Sequence, residues 1–103
     1  MTDAENTYDS LAAGFLETDG VTVQADGMYA HGRLFAFLDR GELVVELPLG
    51  RLGDLELRGV AAPYVSTRHP TRDWVTVSDA ELWPELAREA YDYVAEPPVG
   101  GES

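Results

Sequence analysis

The stretch GMYAHGRLFAFLDRGELVVELP, residues 27–48, constrains the fold more than any other part of the chain. It holds three short apolar-rich runs separated by the pairs His31-Gly32 and Arg40-Gly41. Glycine at these points supplies the positive φ that a tight hairpin turn needs. Runs joined this closely fold back on one another as antiparallel strands. In Arg33–Leu38, alternation places Leu34, Ala36 and Leu38 on one side and Phe35 and Phe37 on the other. Both sides are apolar, which fits a central strand covered on both faces or a subunit contact. In Glu42–Leu47, Leu43, Val45 and Leu47 alternate with Glu42, Val44 and Glu46, the pattern of a half-buried strand.

Helical signals lie on either side. Residues 1–6 are polar and expected to fray. From Thr7, the residues Tyr8, Leu11, Ala12, Phe15 and Leu16 recur at helical spacing, with Asn6 or Thr7 as cap and Gly20 after the end. Pro48 suits the start of a second helix and Gly59 its stop. Leu49, Leu52 and Leu55 could share a face there, while Gly50 and Gly53 make that helix poor by propensity. AAPYVST and DWVTV read as two strands around the loop RHPTR, and Pro63 argues against a central place for the first.

Ser78 and Glu81 have capping-box spacing, yet Pro84 would then break the second turn. A tight turn over Ser78–Leu82, with the helix starting near Trp83 and Pro84 at its first position, resolves the conflict. Leu82, Leu86, Ala90 and Val94 form its apolar stripe, flanked by Trp83, Ala87 and Tyr91. Pro97-Pro98 end it, and residues 97–103 are expected to be a disordered tail. The expectation is a single domain over residues 1–96 of α+β class: helix, three antiparallel strands, helix, two strands, helix.

Four segments in this order resemble a known family. HGRLFAFL is similar to a Gly-Lys-Val-Phe-Ala strand, and LVVELP to a strand ending in Leu-Pro. DLELRGVAAPY follows as a helix, a glycine and an aromatic; TRDWVTV and WPELAREAYDYV complete the set. Together they resemble the N-terminal domain of TfoX/Sxy proteins and the related YjbR-like group, from about Asp26 to Val94. The chain departs at VQADG, where the family opens its sheet with Met-Phe-Gly, and at Glu46, where the family often has Lys. The resemblance implies a secretion-chaperone-like antiparallel sheet with helices mainly on one face. It also implies a link to competence regulation, carried by full-length TfoX proteins that usually have a second domain, and to DNA binding, suggested for YjbR-like proteins.

Charge speaks against the last of these. Nineteen acidic residues face seven basic ones, all Arg, for a formal net charge of −12. Nucleic-acid affinity comes largely from Lys and Arg neutralising phosphates, so this balance disfavours it. Either a genome that favours Arg over Lys or a high-salt interior, where screening relieves acidic self-repulsion, would account for the composition. The acidic start MTDAENTYDS is unlike a signal peptide, and apolar runs are too short to span a membrane, so a cytoplasmic location is expected. Cysteine is absent, which removes thiolate ligands and nucleophiles. His31 and His69 lack metal-ligand spacing, Ser66 and Ser78 lack a nucleophile elbow, and no phosphate loop is present. No catalytic, cofactor or metal residues are expected.

Two features remain. Trp74 and Trp83 read as a structural brace with Ser78 and Pro84, covering the sheet end and setting the angle of the last helix. Arg68, His69 and Arg72 form a basic loop in an acidic chain. They would contact an anion or an acidic partner through bidentate guanidinium groups, or pair with neighbouring carboxylates such as Asp73. As a surface loop, it should tolerate substitution within about 0.5 kcal/mol. The function expected is a non-enzymatic protein-interaction or regulatory domain, with another protein or a second copy as partner. The alternatives are a nucleic-acid-associated regulator, or a small-ligand binder or enzyme using carboxylates.

Overall fold

The computed structural model describes residues 3–95. The expected stop at Pro97-Pro98 and the tail at 97–103 lie outside the described residues. Helix α1 spans Asp3–Phe15 and is followed by four strands, β1 Val21–Gln24, β2 Gly27–Ala30, β3 Arg33–Asp39 and β4 Glu42–Glu46. Helix α2, Leu49–Leu57, leads to β5 Ala62–Tyr64 and β6 Trp74–Val77. A short 3-10 turn at Ala80–Leu82 then opens α3, Trp83–Ala95. The sheet is antiparallel throughout, with strand order β1-β2-β3-β4-β6-β5, and the class is α+β.

Local chemistry places the turns. His31 (φ 51°) and Gly32 (φ 85°) connect β2 to β3, and Arg40 (φ 55°) and Gly41 (φ 81°) connect β3 to β4. Positive φ at both central residues matches the right-handed twist of the strands. Pro48 sits just before α2 in extended backbone, where its missing N–H is no loss. At the other end Gly59 donates to the Glu56 carbonyl and Val60 to the Leu55 carbonyl, a Schellman closure. β5 lies at the sheet edge, the position that Pro63 tolerates.

Several expectations are corrected. α1 begins at Asp3 rather than Thr7, with Asp3 and Glu5 in its first turn, where carboxylates favour the positive end of the helix dipole. It ends at Phe15, so Leu16 falls outside the apolar face and is 60% exposed. Gly20 serves the turn into β1 instead of the helix end. β1 itself was not anticipated, although Val21, Thr22 and Val23 are β-branched or β-favouring and Asp26-Gly27 is a turn signal. On α2 only Leu52 and Leu55 are buried; Leu49 is 69% exposed. Steps of three fall short of a full helical turn, so Leu49 is rotated well away from Leu55.

The largest correction concerns β3. Met28 pairs with Ala36 and Tyr29 with Leu34, which leaves Phe35 as an extra residue on β3. This bulge breaks the alternation. Phe35, Ala36 and Leu38 face the helices, while Leu34 and Phe37 face the opposite side. Gly27 permits the close approach beside it, since a Cβ there would lie 2.6 Å from Leu34 Cδ1 and 2.7 Å from the Ala36 oxygen. The bulge carries Phe35 into an aromatic triad with Phe15 and Tyr91, at centroid distances of 5.6 and 5.9 Å.

The main core lies between one sheet face and the three helices. Ala12 and Phe15 of α1, Leu52 and Leu55 of α2, and Trp83, Leu86, Ala87 and Ala90 of α3 meet Leu43, Val45, Val75 and Val77 there. A smaller cluster of Leu34, Val44 and Trp74, with Tyr29, Phe37 and Tyr64, occupies the other face. β4 is therefore buried on both sides, not half-buried, because the sheet places it between β3 and β6 and both faces are covered.

Candidate functional site

The basic loop lies over this second face. Residues 65–73 connect β5 to β6 as a strap whose backbone is held by Ser66, which is buried and accepts the His69 N–H at 3.1 Å. Arg72 fastens its far end. The guanidinium donates through Nε to Glu46 Oε1 at 3.0 Å, donates again to the same oxygen through a terminal nitrogen, and also reaches the Leu34 carbonyl. Arg33 donates to the other Glu46 oxygen at 2.8 Å. Glu46 is only 3% exposed. A carboxylate so far from water needs such partners, since an unpaired buried charge is strongly unfavourable.

Trp74 is the surface on which the strap rests. The Arg72 guanidinium carbon stands 4.8 Å from its ring centroid, the His69 ring 6.1 Å away, and Phe37 meets it edge-on at 5.3 Å. Its indole Nε1 is buried and has no hydrogen-bond partner among the described residues, so the contact is through the ring. Desolvation, reinforced by Arg72 and Arg68, holds the His69 imidazole below its ordinary pKa. At the other end of the strap, Arg68 donates to Asp26 Oδ2 at 2.8 Å, and the Tyr29 hydroxyl donates to the same oxygen. The Tyr29 and Arg68 hydrogen bonds hold the Asp26 carboxyl below the usual carboxylate range.

The structure thus brings Arg68, His69 and Arg72 together, but both guanidinium groups are engaged within the chain. Their partners are Asp26 and Glu46, not Asp73. Arg72 is a half-buried clasp rather than a tolerant surface residue, with a side chain 17% exposed. Glu46, Arg33 and Asp26 were missed because their roles depend on which segments meet across the sheet. The one local hint is that Glu46 places a charge directly after the apolar run Leu43–Val45.

The expected brace divides between the two sheet faces. Trp83 belongs to the main core and donates Nε1–H to the Val77 carbonyl at 2.9 Å, which ties the start of α3 to the end of β6. Trp74 lies in the opposite cluster, because successive strand residues alternate faces. Ser78 is exposed and does not cap; Asp79 does, accepting the Glu81 N–H at 3.0 Å. The open N–H lies two residues after Asp79, within reach of its short side chain. Pro84 occupies the first turn of α3, which starts at Trp83 as expected.

Six of the seven arginines enter ion pairs: Arg33, Arg51, Arg58, Arg68, Arg72 and Arg88. Arg40, exposed at the β3–β4 turn, has none among the described residues. Beside the strap, a groove of about 410 Å³ runs between α2 and the strap. A second, of about 450 Å³, lies between α1 and α3, with Leu11, Phe15, Trp83 and Arg88 along it. A polar recess of about 430 Å³ holds Asp39, Glu42, Tyr64 and Thr76. There Tyr64 donates to Asp39 and Thr76 to Glu42, at 2.8 and 2.7 Å. Among the described residues no group of three or more His, Asp or Glu is placed to hold a metal, and no helix is long and apolar enough to cross a membrane. Comparison with family models, curated proteins and solved structures finds no match to this chain.

Proposed function

We propose that the chain is a small acidic protein-interaction domain that works by binding rather than by chemistry. The observation that carries this reading is the engagement of six of the seven arginines in internal ion pairs. It leaves the outer surface dominated by uncompensated carboxylates, which repel a phosphate backbone and attract basic protein surfaces. Exposed Leu49, Leu57 and Val65 add apolar contact area on the same molecule. The resemblance to the TfoX N-terminal domain supports a regulatory setting for such contacts.

The test is a pull-down from native lysate at matched salt, with and without nuclease. The reading expects a protein that stays bound after nuclease treatment. Recovery of nucleic acid alone, or loss of every bound protein on nuclease treatment, would overturn it.

A further inference from the structure

The groove beside the strap joins two features that the fold itself does not require. The first is exposed apolar surface. Leu49, 69% exposed, and Val65, 83% exposed, form its two lips, with Pro63 and Pro70 on the strap side and buried Leu52 between them. Leu57, 91% exposed, continues the apolar strip along α2, because Leu49, Gly53 and Leu57 recur at four-residue steps on one side of the helix.

The second feature is Gly53 itself. Glycine inside a helix is destabilising, and α2 spans only Leu49–Leu57. Some glycines are needed for positive φ or for close packing, but Gly53 has neither reason. Its φ is not positive, and a Cβ built on it meets nothing within 4 Å. What the missing side chain preserves is the open floor of the groove, which Gly53 lines. Gly14 and Gly50 equally lack positive φ and close neighbours, and of the three only Gly53 lines this groove, so its absent side chain matters here for the space it leaves.

Charge identifies the occupant. Glu56 and Asp73 line the groove, and neither forms an ion pair among the described residues. Arg72, the cation beside them, shares the buried Glu46 carboxylate with Arg33, and the groove's own lining carries two carboxylates against this one guanidinium. An apolar trough rimmed by free carboxylates favours apolar groups accompanied by positive charge. A second copy of this chain would instead bring −12 against −12. We propose that this groove is a docking site for a short segment of another protein that presents Leu-like side chains beside Lys or Arg. The proposal rests on the protein-interaction reading and gives that reading a location.

The test uses the full chain and fluorescently labelled synthetic peptides at about 0.15 M NaCl, where exposed charges act only over about 8 Å. A Lys/Leu amphipathic peptide is compared with a Lys/Ser peptide of equal length and charge. The expected result is at least about tenfold tighter binding of the Lys/Leu peptide. Gly53→Leu should remove that preference while leaving the melting temperature equal or higher, since it fills the groove and favours the helix. Leu16→Ser, an exposed position just past the end of α1 and outside the groove lining, should bind like wild type. Equal binding of the two peptides, or no binding of either, would overturn the proposal together with its apolar-contact premise. A Lys/Leu preference that survives in Gly53→Leu would overturn the groove alone and leave the interaction reading standing. A wild-type dimer that becomes monomeric in Gly53→Leu, by sedimentation, would overturn it in favour of a second copy as the occupant.

Discussion

Arg72→Ala should unfold the chain far more readily than its place in a loop suggests. The substitution removes both donors from Glu46 Oε1 and the donor to the Leu34 carbonyl. Breaking a buried ion pair from one side costs about 3–5 kcal/mol, because the other charge is left without its partner. Arg33 still holds Glu46 Oε2, and its own side chain is half exposed. That residual partner brings the expected loss down to about 2–3 kcal/mol. For a domain of this size each kcal/mol moves the melting temperature by about 4–8 °C, so a drop of roughly 10–20 °C should follow. Urea unfolding followed by tryptophan fluorescence measures the loss directly. The double variant Arg72→Met/Glu46→Leu should lose less than Arg72→Ala alone, because no buried charge remains. An Arg72→Ala variant within about 0.5 kcal/mol of wild type would refute the clasp and return Arg72 to the class of tolerant surface residues.

Further outcomes follow from the same contacts. The folded-state pKa of His69 is depressed, so an unfolded chain takes up the proton first as pH falls. The His69 contribution is therefore present above about pH 6.5 and lost as pH falls from there toward the lower folded value. His69→Gln should flatten the urea midpoint between pH 7.5 and 5.5 (round values about one unit either side of the free imidazole), and an unchanged slope would contradict this. Trp74→Ala and Trp83→Ala should each lose about 3–5 kcal/mol, and unchanged stability in either would refute its place in a core cluster. Trp83→Phe should lose about 1 kcal/mol, because the indole hydrogen bond to the Val77 carbonyl is removed, and a neutral Phe variant would contradict that role. The melting temperature should rise from low to molar NaCl as acidic self-repulsion is screened; a flat or falling curve would count against that repulsion.

What the sequence made legible is what neighbours in the chain decide. The turns at His31-Gly32 and Arg40-Gly41, the start of α2 after Pro48, the edge position of β5 and the entry to α3 at Trp83 all follow from a few adjacent residues. The side of the sheet that Phe35 occupies does not. It depends on the register between β2 and β3, where one extra residue reverses the alternation for the positions beyond it. The candidate site was half legible for the same reason. Composition drew attention to Arg68, His69 and Arg72, but their carboxylate partners stand 42 and 26 positions away. Only the folded sheet brings Asp26 and Glu46 beneath the loop. The burial of Glu46 is likewise invisible in the alternating run ELVVEL, since it requires the strap to cover a face that the pattern alone leaves to water.

The most direct measurement of the central claim, that the arginines serve the fold and the acidic surface serves protein contacts, is a paired binding titration. Labelled duplex DNA and the labelled Lys/Leu peptide are titrated with the same protein at about 0.15 M NaCl. The account predicts that the peptide binds and that the duplex shows no complex at micromolar protein. Duplex binding that weakens steeply as salt rises, with no peptide binding, would contradict it.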